Sequence, residues 1–484
     1  MVEHPFIYEI NTWVWLGELE TQLGDVPAPK WDAIAALGFD AVWLMGVWER
    51  SPAGVAIALQ NDALMASFRD ALPDVTGDDV VGSPYCVRDY RVASHLGGPE
   101  GLASAREALA ERGLGLILDF VPNHVAPDHP WTVTHPEYFV QGSRDDLEHD
   151  PASFIEVGER VLANGRDPYF PAWPDVVQLN AFALDLRAAV IATIGSIADQ
   201  CDGIRCDMAM LMMNDIFERT WGARTGAQPE AEYWPTVIGA INERNPDFVF
   251  LAEAYWDLEF ALQQQGFDYC YDKRLYDRLE HESADAVHGH LTADPDYQRK
   301  LVRFVENHDE PRAAATFPPD KNRTAAVASM TQTGARLVHD GQLEGRQVRV
   351  PVFLARRPDE KLDGDLRAFY ERLFASLRDP VLRSGAWQLG ERSGWEGNDR
   401  WQNLLVWGWR DEGPRKLVVV NFGGDAAAGH VSLPWDDLRG RSWLLDDAAN
   451  DVRYERSGDD LRNGLYVSLE PWSWNLFDLS ESHG

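Results

Sequence analysis

The chain has 484 residues, 45% of them hydrophobic and 25% charged. This is enough apolar material for one large domain plus a smaller one, and it excludes wholesale disorder. Acidic residues number 78 against 44 basic ones, a formal charge of −34 whose field repels nucleic acid and anionic membrane and argues against both as partners.

Lysine occurs only at Lys30, Lys273, Lys300, Lys321, Lys361 and Lys416. Two readings fit this balance: a salty cytoplasm, where charge is screened over a few ångströms, or a GC-rich genome that favours arginine over lysine. Neither bears on the reaction. The first residues run almost directly into a strand-like stretch, with no basic and apolar leader, and no window holds 18 uninterrupted apolar residues. A cytoplasmic location is expected. Cys86, Cys201, Cys206 and Cys270 form no CxxC pair and no disulfide framework, so reduced thiols are expected.

In chain order, strands are predicted at Phe6–Val14, Ala41–Val47, Gly115–Val121, Gly203–Met208, Phe248–Ala254, Asp268–Tyr271, Leu301–Val305 and Ala335–His339. Helical patterns lie between most of them. In Gly101–Arg112, Leu102, Ala105 and Leu109 share one face and Gly113 offers a stop. Eight strands separated by helices predict an α/β fold, a closed (β/α)8 TIM barrel over residues 1–384.

Two connections exceed simple turns. Ser51–Val81 holds a helical piece around Asn61–Leu72. Residues 125–179, rich in Pro, Asp, His and aromatics, form an insertion subdomain after the third strand, over the face where a barrel builds its active site. After a last helix, Leu366–Leu377, the pattern turns to short strands: Leu404–Trp409, Lys416–Phe422, His430–Pro434, Ser442–Asp446, Gly464–Leu469 and Ser473–Leu479. These predict a C-terminal antiparallel β-sandwich over 385–484.

The chemistry sits at strand ends. Asp119 closes the third predicted strand, Asp207 the fourth, Glu253 the fifth and Asp309 the seventh. A carboxylate is costly inside an apolar run unless it is paired or serves a site, and a barrel aims its strand C-termini at one pocket. One such residue would read as a cap or ion pair; four, with Arg205, His124 and His308, point to a common site. Cleaving an acetal needs a proton donor and a carboxylate beneath the anomeric carbon, and in a retaining enzyme that carboxylate becomes the nucleophile. Arg205 lies two residues before Asp207 on the same strand face and can hold it ionised.

Four ordered motifs, DFVPNH at 119–124, GIRCD at 203–207, LAEAYW around Glu253 and ENHD at 306–309, resemble those of the α-amylase family of retaining glycosidases and glucanotransferases. The resemblance implies Asp207 as nucleophile, Glu253 as general acid/base and Asp309 as transition-state stabiliser, with His124 and His308 on the same sugar ring. It places Tyr85, in GSPYCVRDY, against the sugar at the cleavage point, and from the ENHDEPR form it implies that Arg312 lines the pocket. Asp89 reads as structural. Asp119 and Arg205 complete the expected substrate-binding set.

No cofactor is required, but the resemblance implies a structural calcium at Asn123, with Asp175 near a second ligand position and a backbone carbonyl near Leu211. Among the 19 tryptophans, Trp173 and Trp256 are expected to face the cleft, whereas Trp407, Trp409, Trp472 and Trp474 read as packing. The expected activity is hydrolysis of α-1,4-glucosidic bonds in maltooligosaccharides, starch or glycogen. Transglycosylation by a glucanotransferase, isomerase or phosphorylase with the same residues is the alternative, and a non-enzymatic sugar-binding relative the third.

Overall fold

The computed structural model describes residues 2–482 apart from 434, 448, 449 and 451. Eight strands, β1 (Phe6–Asn11), β2 (Ala41–Met45), β3 (Gly115–Phe120), β4 (Gly203–Cys206), β5 (Val249–Ala252), β6 (Tyr269–Tyr271), β7 (Leu301–Arg303) and β8 (Ala335–His339), close into a parallel barrel in sequence order. Helices such as Gly98–Ala110, Leu184–Ala198 and Pro319–Met330 run between them. Strand β2 is buried on both faces, which is why it reads as an unbroken apolar run. The barrel interior is filled by Ile7, Trp43, Ile117, Leu251, Tyr271, Val302, Phe304 and Leu337 among others. It is a packed core and leaves the chemistry to the rim.

The first strand stops short of the predicted Val14. The Asn11 side chain accepts a hydrogen bond from the Val14 N–H and starts the helix Thr12–Leu19, because an N-capping Asn satisfies a helical donor that a strand would leave to its neighbour. Gly113, at φ +74°, ends the helix before β3 as expected, in a conformation that other residues adopt at a steric cost.

The connection after β2 holds two helices where one was expected, Pro52–Gln60 and Asp62–Ala71, and Asn61 caps the second. The insertion after β3 carries a three-stranded antiparallel sheet built from Gln141–Gly142, Phe154–Val157 and Arg160–Ala163.

Beyond the helix Gly364–Leu377 come β9 (Ala386–Leu389), β10 (Glu391–Ser393), β11 (Leu404–Arg410), β12 (Arg415–Asn421), β13 (Ala427–Ser432), β14 (Ser442–Asp447), β15 (Val452–Ser457), β16 (Leu465–Leu469) and β17 (Ser473–Glu481). They form one sheet ordered β9-β11-β12-β17-β14-β15 and a second ordered β10-β13-β16. The two enclose a core of their own, with Val406, Val419, Val431 and Val467. Pro434, the expected end of one of these strands, lies outside the described residues. Trp407 and Trp409 are fully buried, as their alternation with apolar neighbours suggested.

Candidate active site

The expected acidic residues do not stand equally on the ladder. Asp119 is within β3, while Asp207 and Glu253 each follow their strand by one residue and Asp309 lies six residues past β7. That offset sorts them. Asp207, Glu253 and Asp309 line a cavity of about 330 Å³ at the carboxyl edge, together with Tyr85, His124, Trp173 and Asp175. Asp119 sits beneath it, 1% exposed. Its oxygens accept hydrogen bonds from Trp43 Nε1 (3.2 Å) and the Gly46 N–H (2.9 Å). The substrate contact expected of Asp119 is therefore corrected: it holds the floor of the site, and burial pushes its carboxyl up to about 6 against the pull of Arg205.

Arg205 is the hub. Gly203, Arg205 and Asp207 alternate onto one face of the β4 line, and the guanidinium is fully buried inside the barrel. Its Nη1 donates to Asp207 Oδ1 at 2.7 Å. Its Nη2 lies 2.8 Å from Glu253 Oε2 without hydrogen-bond alignment, and 3.8 Å from Asp309 Oδ2. One cation thus faces three carboxylates.

The three respond differently. Burial raises Asp207, with Arg205 opposing it. Burial also pushes Glu253 up to about 7, again against Arg205 and with Asp207 adding to the rise. Burial acts on Asp309 in the same sense but is overcome by His308, which holds that carboxyl down to about 2. The hydrogen-bonding pattern explains the contrast: Asp207 receives the aligned guanidinium, Asp309 receives His308 Nε2 at 2.8 Å, and Glu253 receives neutral donors. Its Oε1 accepts from Tyr255 Oη at 3.0 Å and its Oε2 from the Met208 N–H at 2.6 Å. Met208 adopts a left-handed conformation, φ +42°, which is rare outside glycine, and its N–H is the one that meets Glu253.

His308 is wired on both nitrogens. Nδ1 lies 2.5 Å from Glu9 Oε1, and Nε2 lies 2.6 Å from Tyr85 Oη. Burial lowers the imidazole, but Asp309 and Glu9 overcome this and push it up to about 10, so His308 is an imidazolium. The Tyr85 ring packs 5.1 Å from the Arg205 guanidinium and 5.5 Å from the His308 ring. His124 is buried, which pushes it down to about 3, and it is neutral. The Asn307 side chain accepts the N–H groups of Asp309 and Glu310, both at 2.9 Å, and so shapes the turn that presents Asp309.

Arg312 does not line the cavity. It is 3% exposed and its Nη1 donates to Glu306 Oε1 at 2.6 Å and to the Asp340 carbonyl at 2.9 Å. A buried carboxylate at 306 needs a cation, and Arg312 supplies it.

The two residues expected at a calcium, Asn123 and Asp175, are both buried. Asn123 Oδ1 accepts from Gln178 Nε2 at 2.8 Å, and Asn123 Nδ2 donates back to Gln178 Oε1 at 3.3 Å. Asp175 borders the catalytic cavity with Oδ2 unpartnered, and burial pushes its carboxyl up to about 6. Among the described residues no group of three or more His, Cys, Asp or Glu side chains is placed to hold a metal.

Glu9, Trp43, Gln178, Tyr255 and Phe353 complete the site and were not foreseen. Glu9 carried a signal, a lone carboxylate inside the apolar strand FIYEIN, but nothing in its neighbourhood names a partner 299 residues away.

An eight-stranded barrel with buried acids gathered around one arginine at its carboxyl edge defines a barrel enzyme of acid–base chemistry. Residues 24–405 match the alpha amylase catalytic domain, and the chain belongs to the alpha-amylase family. It is 26% identical over 446 residues to the alpha-amylase MalA of Haloarcula japonica, covering 89% of this chain and 57% of that protein. It is 31% identical over 253 residues to an alpha-1,4-glucan:maltose-1-phosphate maltosyltransferase of Streptomyces coelicolor, covering 50% of this chain and 31% of that one. The chain thus spans little more than half the length of the first and just under a third of the second. In fold it superposes on a noncanonic maltogenic alpha-amylase, AmyB, of Thermotoga neapolitana with a TM-score of 0.71 at 18% identity, covering 99% of both chains.

Proposed function

We propose that the protein is a retaining glycoside hydrolase that cleaves α-1,4-glucosidic bonds of maltooligosaccharides, starch or glycogen. The observation that supports it most is the placement of two carboxyls on Arg205 beside the cavity: burial raises both, Asp207 holds the aligned guanidinium, and Glu253 is pushed up to about 7. In the first step Asp207 attacks the anomeric carbon as Glu253 gives its proton to the departing glycosidic oxygen. In the second, Glu253 takes a proton from water as the water oxygen attacks the same carbon and Asp207 leaves. Asp309, held ionised by His308, binds ring hydroxyls and the developing positive charge. Tyr85 and His124 line the same cavity and would pack on the ring.

We take residues 1–384 as the catalytic unit and 385–484 as its accessory domain. The four cysteines are free and buried, which fits a reducing cytoplasm; among the described residues no helix is long and apolar enough to cross a membrane.

The test is the anomer first released from a maltooligosaccharide, read by proton NMR, together with turnover by Asp207→Asn and Glu253→Gln. An α anomer and two inactive, folded variants are expected. A β anomer rules out retention, and activity in both variants rules out the residue assignment. A second reading, transfer to a sugar acceptor, draws support from an adjoining cavity of about 430 Å³ that shares Met208 and Tyr255 with the first and includes Trp256. Products longer than maltotriose, formed from maltotriose alone, would establish transfer.

A further inference from the structure

Away from the catalytic cavity, two further cavities of about 440 and 570 Å³ adjoin each other and share Arg323 and Asp365. Together they form a groove along the flank of the barrel. It follows the helices Pro319–Met330 and Gly364–Leu377 from the loop around Gln347, two residues from the Arg349 that donates to the Asp309 carbonyl, to Trp474 on β17. From Asp365 to Ser376 the second helix alone lines about 16 Å of it, at 1.5 Å per residue.

Several of its polar groups are unengaged. The Asp365 carboxylate and the Arg372 guanidinium, both exposed, have no hydrogen-bond or ion-pair partner among the described residues. Arg323 reaches only Asp320, at 3.7 Å. Asn322 is 3% exposed and its Oδ1 has no partner, although buried amides almost always find one. At the far end Trp474 is half-buried, its ring edge-on to Phe369 with centroids 5.5 Å apart.

We propose that this groove is a second binding site for an α-glucan chain, separate from the bond being cleaved. An aromatic face covers the C–H face of a sugar ring while leaving its hydroxyls free, and guanidinium, carboxylate and amide groups bind vicinal hydroxyls as paired donors and acceptors. Both signs of charge line the groove, which suits a neutral polyol; an anionic ligand would meet Asp365 and the field of a chain at −34. The groove begins beside the loop that touches Asp309, so a long glucan could be held on the flank while another of its segments enters the catalytic cavity, raising the local concentration of bonds there. The choice of ligand rests on the α-glucan reading above.

The experiment uses the full chain in two backgrounds, wild type and Glu253→Gln. Native electrophoresis through gels with and without glycogen measures polysaccharide affinity, and steady-state kinetics on glycogen and on maltotriose measure turnover. Trp474→Ala is expected to weaken retardation by glycogen about tenfold and to raise KM for glycogen. It should leave kcat and KM on maltotriose unchanged. Because Trp474 packs on Phe369, the surface pair Asp365→Asn with Arg372→Gln repeats the test with no buried group removed and is expected to act in the same direction. Glycogen retardation unchanged in both groove variants overturns the groove, whatever the catalytic activity. Retardation lost with Trp474→Ala in a protein that hydrolyses no α-glucan upholds the groove and sinks the catalytic reading instead. Equal losses on glycogen and maltotriose would mean that the variants act on the catalytic cavity, and would also overturn it.

Discussion

One buried cluster of arginine and carboxylate at the carboxyl edge of this barrel surrounds Arg205, and another surrounds Arg312. In the second, each oxygen of Glu306 has its own donor, Oε1 the shared Arg312 Nη1 at 2.6 Å and Oε2 the Ala313 N–H at 2.7 Å. Burial pushes Glu306 up, but Arg312 and His339 outweigh it and hold the carboxyl below its ordinary value. Around Arg205 one guanidinium serves three acids, and the acid it meets without alignment, Glu253, keeps its proton up to about 7. A carboxylate matched by donors on both oxygens and away from the cavity, such as Glu306, is scaffolding. A carboxylate short of positive charge, beside a cavity, is a proton donor in waiting.

The sharpest way to break this contrast is to neutralise each acid in turn. Glu253→Gln is expected to lower kcat on the order of 10² to 10⁴-fold, the usual contribution of a positioned acid/base, with the thermal midpoint held or raised. Glu306→Gln should do the reverse. It leaves the Arg312 charge buried without a counterion, so stability should fall by about 3–5 kcal/mol in a denaturant titration while kcat per folded molecule persists. If both variants lose activity and stability together, the two clusters do not differ in kind.

The proton on Glu253 can also be read by pH. Burial raises its pKa, so the acid form needed for leaving-group protonation is present below about 7 and is lost as pH rises through that value. The basic limb of kcat/KM is therefore expected near 7, while Asp309 (about 2) and His308 (about 10) stay ionised across the neutral range. A flat profile to pH 9 would contradict the assignment. The same shift makes Glu253 a destabilising group once ionised: the native state binds a proton that the unfolded state has released, so its contribution to stability falls between about pH 4.5 and 7.

Smaller effects test the supporting residues. Glu9→Gln removes one of the two anions that keep His308 charged. About a tenfold fall in kcat/KM is expected, the scale of one hydrogen bond to a charged group, with a new basic limb as His308 begins to lose its proton below 10. A purely structural role for Glu9 would lower stability without adding that limb. The smallest effect is expected from a chelator. With the Asn123 oxygen engaged by Gln178, EDTA should leave the melting temperature unchanged, and a clear drop would show that a cation organises this loop after all.

Much of this was legible in the sequence because it depends on local pattern. The strand-and-helix alternation, the long insertions and the switch to short strands after Leu377 each follow from periodicity over a few residues. The identities of Asp207, Glu253 and Asp309 follow from charge placed where an apolar strand ends. The errors were about partners. Asp119 and Arg312 carry the same kinds of side chain as their neighbours, but one lies a residue inside its strand and the other faces Glu306, and both are buried away from the cavity. Trp474 sits in a strand-like run that reads as packing, and only the approach of the helix Gly364–Leu377 makes it the end of a groove.

The amino-acid order alone determined which elements form and which carboxylates crowd one end of the barrel, since both are set by residues close in sequence. How those carboxylates differ was decided only by the closed barrel. The aligned hydrogen bond from Arg205 to Asp207 beside its unaligned ion contact with Glu253, and the pairing of His308 with Glu9 across 299 positions, depend on ångström-scale distances in a medium with little water to screen them. There a few tenths of an ångström and the alignment of one N–H decide which acid keeps its proton.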